Sequence, residues 1–300
     1  MRAIAAAAAV SALTLSVQNP TVVDRRPLRS SVELTVVTAT VRDADGRLVT
    51  GLPRGAFEIY EDGDRQSISQ FTNERVPVGL GLLLDISDSM FGRRIVEARG
   101  AVERFLLELL KPTDAFFVMA FNHEPRMLTA WTNDPSTVRE ALDGLKPWGG
   151  TAIYDAIIRA EPMLHVRTRE RAALVVISDG ADTASDATLR EVRSTVLRTD
   201  AFIYAVAIDA ADRRPINTRV NPEALQEITN QSGGTTEIVR DSSDLDGATA
   251  RIAEELNSQY VLGYSPSHGA DGRYHSIRVK MVDPAYRVRA RNGYVASPRP

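Results

Sequence analysis

The chain has 300 residues, of which 43% are hydrophobic and 25% charged, so it contains enough apolar material for a globular core. Its formal net charge of −3 provides no basic field for binding nucleic acid or an anionic membrane. It contains no cysteine, which excludes disulfides, thiolate metal sites and a catalytic thiol.

The N-terminus is predicted to be a targeting segment. Arg2 is followed by an uncharged stretch, 3–17, that is rich in Ala, Val and Leu. About 15 apolar residues suit a signal-peptide core, whereas roughly 20 are needed to span a bilayer. We expect residues 1–18 to be a signal peptide, or a membrane anchor if uncleaved, and 19–30 to be a polar linker; an ordinary buried helix is the alternative. The protein is then exported to the periplasm, the cell surface or the medium.

Residues 31–75 are predicted to form a small antiparallel β unit. The stretch 32–41 shows the period-two alternation of a strand, and it ends at 43–46 in Asp-Ala-Asp-Gly, which is typical of a hairpin turn. A second strand pair is predicted around the turn at 61–64. About 45 residues are marginal for an independent core, so this unit needs a partner.

From 77 to 257 the pattern changes to alternating strands and helices. Buried apolar runs separated by helices indicate a parallel sheet that is covered on both faces. The run 125–132 is predicted to be an antiparallel edge strand. The predicted strands are 78–85, 114–121, 171–178, 201–208 and 234–239. The predicted helices are 91–110, 135–145, 152–164, 187–198, 221–231 and 244–257.

The last stretch, 258–300, returns to β character and also lacks a core of its own. Two incomplete β units flank a complete α/β domain. We therefore predict that 31–75 and 258–300 pair into one antiparallel β-sandwich. The alternative is that each packs separately on the α/β domain.

Three loops of the predicted α/β domain carry clustered oxygen donors. The strand 78–85 runs directly into Asp85, Ser87, Asp88 and Ser89, at the end of the strand where open α/β sheets bind ligands. Carboxylates and hydroxyls with no Cys or His among them suit a hard cation such as Mg²⁺. The other two loops are Gly149-Gly150-Thr151, which opens a helix, and Ser178-Asp179-Gly180, which closes a strand. The alternative is a purely structural role, in which these polar loop ends only cap helices.

In order and position, DISDSM, GGT and SDG resemble the Asp-x-Ser-x-Ser, Thr and Asp motifs of von Willebrand factor A-type (VWA) domains. The resemblance covers 77–257. The flanking YVLGYSP and ARNGYVA resemble a bacterial subgroup of exported VWA-related proteins. The resemblance implies an α/β fold with a Rossmann-like, doubly wound, mostly parallel sheet. It also implies a metal-ion-dependent adhesion site.

The resemblance further implies how that site works. Ser87 and Ser89 would bind the metal through their hydroxyls, and Thr151 would bind it directly in the ligand-occupied form. Asp85 and Asp179 would hold coordinating waters. The expected ion is Mg²⁺, with Mn²⁺ or Ca²⁺ as alternatives. The expected partner is a protein that offers an Asp or Glu carboxylate, and the last helix, 244–257, is expected to shift on binding.

Two other functions compete with a cation-dependent binding module. A phosphatase of the haloacid-dehalogenase type would use Asp85 as nucleophile, but it needs a second Asp where this chain has Ser87, which cannot act as the acid/base. A metal-free scaffold would interact through the β-sandwich instead. The four histidines, at 123, 165, 268 and 275, show no zinc-site spacing.

Overall fold

The computed structural model describes residues 34–179, 181–208 and 222–296. The predicted signal peptide and linker lie outside the described residues. The described part contains a six-stranded, mostly parallel sheet and two four-stranded antiparallel sheets. The predicted fold class is therefore confirmed, while the predicted domain boundaries stay predictions.

The six-stranded sheet has the order β10-β9-β8-β5-β6-β7. All neighbours are parallel except β7, which pairs antiparallel with β6 at the edge. The strands are β5 (Val78–Asp85), β6 (Ala115–Phe121), β7 (Pro125–Thr132), β8 (Arg171–Ser178), β9 (Phe202–Ile208) and β10 (Thr236–Val239). Every residue of β5, β6, β8 and β9 is buried, because helices cover both faces of the sheet.

Within the described ranges, six α-helices flank this sheet and form two hydrophobic cores with it, one on each face. Their bounds are α1 (Arg93–Arg104), α2 (Ser136–Asp143), α3 (Ile153–His165), α4 (Leu189–Val196), α5 (Pro222–Ser232) and α6 (Leu245–Asn257). Over the span predicted as a helix, 91–110, α1 begins at Arg93 and continues directly into a π turn over Phe105–Leu109. No helix in the described ranges combines the length and apolarity that crossing a bilayer requires.

Gly81 interrupts the apolar run of β5 because neighbouring side chains fill its space. A Cβ at Gly81 would lie 2.4 Å from Cζ of Phe117 on β6 and 2.6 Å from Cδ1 of Leu174 on β8. The glycine therefore lets two large side chains pack across the central strand that leads to Asp85.

The two antiparallel sheets form a sandwich to which both ends of the chain contribute. One sheet has the order β13-β1-β11-β4 and the other β14-β12-β2-β3. The strands are β1 (Thr35–Arg42), β2 (Phe57–Glu61), β3 (Asp64–Gln66), β4 (Gln70–Thr72), β11 (Tyr260–Tyr264), β12 (Tyr274–Met281), β13 (Arg287–Ala290) and β14 (Gly293–Val295). Their inner faces share one core, which includes Val37, Ile59, Leu262 and Ile277.

The hairpin turn predicted at 43–46 forms, but the strand that returns from it is short. The turn is present, since the N–H of Arg47 donates to Oδ1 of Asp43 at 2.8 Å. Among the described residues, however, the returning strand is reduced to one bridge between Arg42 and Leu48. Instead β1 pairs with β11 on one side and β13 on the other. Two long-range partners bury both edges of β1, which a local hairpin would leave half open.

A buried polar network joins the sandwich to the α/β domain. Glu255, near the end of α6, is 2% exposed and accepts from the hydroxyl of Tyr204 on β9 at 2.9 Å. It also forms ion pairs with Arg42 on β1, at 2.9 Å, and with Arg289 on β13. The network continues from Tyr204 to Gln259, which contacts the buried Arg171 at the start of β8.

Arg171 holds together the two points where the chain enters and leaves the α/β domain. Its guanidinium donates to the carbonyl of Val76 at 2.9 Å and to that of Leu256 at 2.8 Å. Burial lowers the pKa of Arg171 to about 10, so it remains charged at neutral pH. Entry and exit therefore lie side by side, next to the pair that β4 and β11 form in the sandwich.

Candidate metal centre

The three oxygen-rich loops meet at the carboxyl edge of the six-stranded sheet. In the sheet, β6 lies on one side of β5 and β8 on the other. The chain therefore adds β6 and β7 on one side of β5, then crosses over to add β8, β9 and β10 on the opposite side. Such a switch point leaves a crevice at the strand ends, where α/β sheets bind ligands. Asp85 ends β5, and Asp179 directly follows β8.

Four of the five predicted site residues are joined by hydrogen bonds. The Oγ atoms of Ser87 and Ser89 lie 3.0 Å apart, and Ser89 donates to Oδ1 of Asp179 at 2.6 Å. Asp85 is fully buried. It accepts from the N–H of Ser87 at 2.8 Å and from the hydroxyl of Ser178 at 2.5 Å. Two hydroxyls and two carboxylates therefore converge on one point.

The loop of Thr151, the fifth predicted residue, is fixed to the other two loops through the backbone. The N–H of Asp88 donates to the carbonyl of Gly149 at 3.0 Å. The N–H of Thr183, after β8, donates to the carbonyl of Thr151 at 2.8 Å, and Thr183 Oγ1 accepts from the Thr151 N–H at 3.0 Å. Thr151 is 5% exposed, at the start of α3.

The site concentrates negative charge away from water. Burial, together with the charge of Asp179, raises the pKa of Asp85 to about 7. Arg94, in the first turn of α1, forms an ion pair with Oδ2 of Asp179 at 2.5 Å and donates to the carbonyl of Ser89 at 2.9 Å. The sequence alone did not single out Arg94. The one available signal was its position five residues after Ser89, near the start of the predicted helix.

The donor set fits a hard divalent cation. Ligands at about 2.1 Å in an octahedron lie roughly 3.0 Å from their neighbours, which matches the separation of the Ser87 and Ser89 hydroxyls. All the convergent side-chain atoms are oxygens, as Mg²⁺, Mn²⁺ and Ca²⁺ prefer. Ser87, Ser89 and Thr151 would hold such an ion, with Asp85 and Asp179 beside it.

Other polar residues of these loops have structural roles. Asp182 accepts from the N–H of Tyr154 at 2.9 Å, and Asp155 accepts from the N–H groups of Asp186 and Ala187. Asp88 is exposed.

Two large aromatic side chains are exposed on the loops that form the crevice. Phe91 is 78% exposed just after the first loop, and Trp148 is 54% exposed beside Gly149. The ring of His123 packs edge-on against Trp148, with 4.5 Å between the centroids.

Known proteins are similar in sequence to part of this chain. Residues 80–181 match the family model of the von Willebrand factor type A domain. Human inter-alpha-trypsin inhibitor heavy chain H4 is 24% identical over 186 residues, which are 56% of this chain and 19% of that protein. The minor fimbrium subunit Mfa5 of Porphyromonas gingivalis is 26% identical over 116 residues, 36% of this chain and 9% of that protein. The chain thus spans a fifth or less of the length of these curated relatives.

A solved structure supports the same assignment at the level of the fold. The von Willebrand factor type A protein from Catenulispora acidiphila has a TM-score of 0.55 and 13% identity, and the match covers 81% of this chain and 72% of that one. The family match thus identifies residues 80–181 as similar to a VWA domain, and the sheet order and this likeness agree with that match at the level of the fold. Domains of this family are generally protein-interaction and adhesion modules.

Proposed function

We propose that the protein is an exported, divalent-cation-dependent binding module that captures an acidic side chain of a partner protein. Mg²⁺ is the proposed ion, with Mn²⁺ or Ca²⁺ as substitutes. Hydroxyl ligands leave the charge of the cation under-neutralised, so that its open position attracts a partner's Asp or Glu. The observation that carries the proposal is the convergence of Ser87, Ser89, Asp85 and Asp179 within hydrogen-bonding distance, beside the loop of Thr151.

The surroundings of the crevice support a protein partner. Phe91 and Trp148 expose large apolar surfaces on the first and second loops. Exposed aromatic residues next to a charged contact are typical of interface centres. The similarity to a fimbrial subunit is in keeping with adhesion. Export is proposed from the apolar N-terminal stretch alone, and membrane attachment applies if that stretch is not cleaved.

A binding role is proposed over catalysis because of the residue at position 87. A nucleophilic Asp85 would need a neighbouring acid/base, and the hydroxyl of Ser87 cannot supply one. Asp85 is itself fully buried and hydrogen-bonded to Ser87 and Ser178. These contacts hold the carboxylate in place beneath the crevice.

Magnesium binding is the first test. Titration calorimetry on the purified chain is expected to show one Mg²⁺ per chain. Asp85→Ala and Asp179→Ala should each weaken binding by more than about tenfold, since removing groups that orient metal ligands typically costs 10–100-fold. The matched control is Asp88→Asn, which changes an exposed carboxylate in the same loop and should bind normally.

Circular dichroism and thermal melts establish that each variant is folded. A native chain that binds no Mg²⁺, Mn²⁺ or Ca²⁺, with or without an acidic peptide, would contradict the proposal and favour the metal-free scaffold. If the native chain and both alanine variants bound Mg²⁺ equally well, the ion would have to occupy a different site.

Arg94 is expected to compete with the cation. Its guanidinium occupies Oδ2 of Asp179 and adds positive charge to the site. Arg94→Gln should therefore strengthen Mg²⁺ binding about fivefold, which corresponds to roughly 1 kcal/mol of charge repulsion. Arg93→Gln is the control: it removes the same charge from a side chain that is 70% exposed and pairs with Glu97. Weaker Mg²⁺ binding in Arg94→Gln would show instead that the arginine positions Asp179.

A further inference from the structure

A second cluster of metal-binding side chains lies in the sandwich. His268 and Asp271 are in the loop between β11 and β12, and His275 is the second residue of β12. Each offers one ligand atom, and these atoms all lie within 4.8 Å of one another. The sequence did not predict this cluster, because His-x₂-Asp-x₃-His is not a zinc-motif spacing and the loop must fold back to bring the rings together.

The geometry of the cluster suits a tetrahedral ion. Oδ1 of Asp271 and Nε2 of His275 are 3.2 Å apart. Two ligands of a tetrahedral Zn²⁺, each about 2.0 Å from the metal, are separated by roughly 3.3 Å. The ring of His268 lies nearly parallel to that of His275, at 9°, with 3.5 Å between the centroids. One nitrogen of His268 lies within 4.8 Å of the ligand atoms of Asp271 and His275. Because a ring nitrogen binds a metal in the plane of its ring, His268 must turn out of this stack to complete the site.

Carboxylates behind the rings provide the support that metal-binding histidines require. Oδ2 of Asp62 lies 2.7 Å from Nδ1 of His275, which fixes the ring and directs Nε2 towards Asp271. Oδ1 of Asp62 accepts from the backbone N–H of Ser276 at 2.8 Å, so the carboxylate is itself held in place. This carboxylate–histidine arrangement orients a ligand and raises its basicity.

A second carboxylate lies beneath His268. Glu61 is buried, and its Oε1 is 3.5 Å from Nε2 of His268. The same oxygen accepts from the hydroxyls of Tyr264 at 2.6 Å and Tyr294 at 3.0 Å. Each imidazole therefore has an anchored carboxylate beside it, and His275 also contacts Asp271.

We propose that His268, Asp271 and His275 form a second cation site, specific for Zn²⁺ or a similar divalent transition ion. Imidazole nitrogens favour such ions over Mg²⁺ and Ca²⁺, so this site differs in chemistry from the all-oxygen centre of the VWA domain. A bound ion would fasten the β11–β12 loop to β12, and through Asp62 to the β2–β3 turn. The proposal is independent of the proposed function.

Zinc calorimetry on the full chain, with excess Mg²⁺ present to occupy the first centre, tests this site. One Zn²⁺ per chain is expected, and His268→Gln and Asp271→Asn should each weaken binding by about 10–100-fold. Asn at 271 keeps an acceptor for the N–H of Arg273, so the loop should hold its shape. The control His165→Gln alters an exposed histidine on α3 and should bind as the native chain does.

The visible absorption of bound Co²⁺ provides a second test, because a cluster held together only by hydrogen bonds would give no such signal. This absorption is expected to have the intensity of a tetrahedral site in the native chain and to be lost in His268→Gln. The proposal is overturned if the native chain binds no Zn²⁺, or if both site variants bind it unchanged. It is equally overturned if Zn²⁺ binding disappears in Asp85→Ala and persists in His268→Gln, because the ion would then occupy the first centre. Melting curves without metal establish that the variants are folded.

Discussion

Replacing Glu255 by alanine is expected to lower the free energy of unfolding by about 3 kcal/mol. The substitution leaves the buried hydroxyl of Tyr204 without its acceptor and removes the partner of Arg42 and Arg289. Breaking a buried ion pair from one side typically costs 3–5 kcal/mol. The lower value applies here because the arginine side chains are 37% and 28% exposed and regain some hydration.

Urea unfolding followed by circular dichroism measures this loss. The matched control is Glu254→Ala, an exposed glutamate one position earlier on α6, for which a change below about 0.5 kcal/mol is expected. If both variants had the same midpoint of urea unfolding as the native chain, the Glu255 network would make no net contribution to stability.

Replacing Gly234 by alanine is expected to lower the free energy of unfolding by about 3 kcal/mol, because no space exists for a methyl group. A Cβ at this position would lie 1.9 Å from the carbonyl oxygen of Ile203 and 2.7 Å from its carbonyl carbon. Both atoms belong to the backbone of β9, so the strand itself must move. Ile203 is also held by the hydroxyl of Ser232, which accepts from its N–H at 2.8 Å.

The same urea titration tests this prediction, with Gly100→Ala as the control. Gly100 lies in the middle of α1, and a Cβ there would meet nothing within 4 Å. Alanine at 100 should therefore stabilise the protein by up to about 1 kcal/mol through its higher helix propensity. A Gly234→Ala protein as stable as the native chain would show that β9 and the α5–β10 connection can separate without loss.

Local patterns were sufficient to predict the α/β part of the fold. The buried run that ends at Asp85 and the amphipathic stretches after it depend on nearby residues, so their type and order follow from periodicity. The bounds shifted by a few residues at the ends. The proximity of Asp85 and Asp179 followed from a topological rule about strand ends, which needs no knowledge of side-chain packing.

Features that depend on distant contacts were not predictable in this way. The alternation around β1 predicted a strand. Its partners, however, are the distant strands β11 and β13 rather than a strand that follows the adjacent turn. Arg94 and the pair of His268 and His275 acquire their surroundings from loops and helix ends, whose conformations leave no periodic signal.

The position of Arg171 has a consequence for how the protein folds. Thr35 on β1 contacts Tyr294, 259 positions later, so the sandwich has a very high contact order. In an unfolded chain, closing such a loop carries a large entropy cost and leaves both edges of β1 exposed to aggregation. Once the α/β domain has formed, Arg171 fixes Val76 beside Leu256. The segments before Val76 and after Leu256 then start from neighbouring points, and their pairing no longer requires closure of a loop as long as the α/β domain. We therefore expect the sandwich to fold after the α/β domain, and its folding rate to depend on that domain.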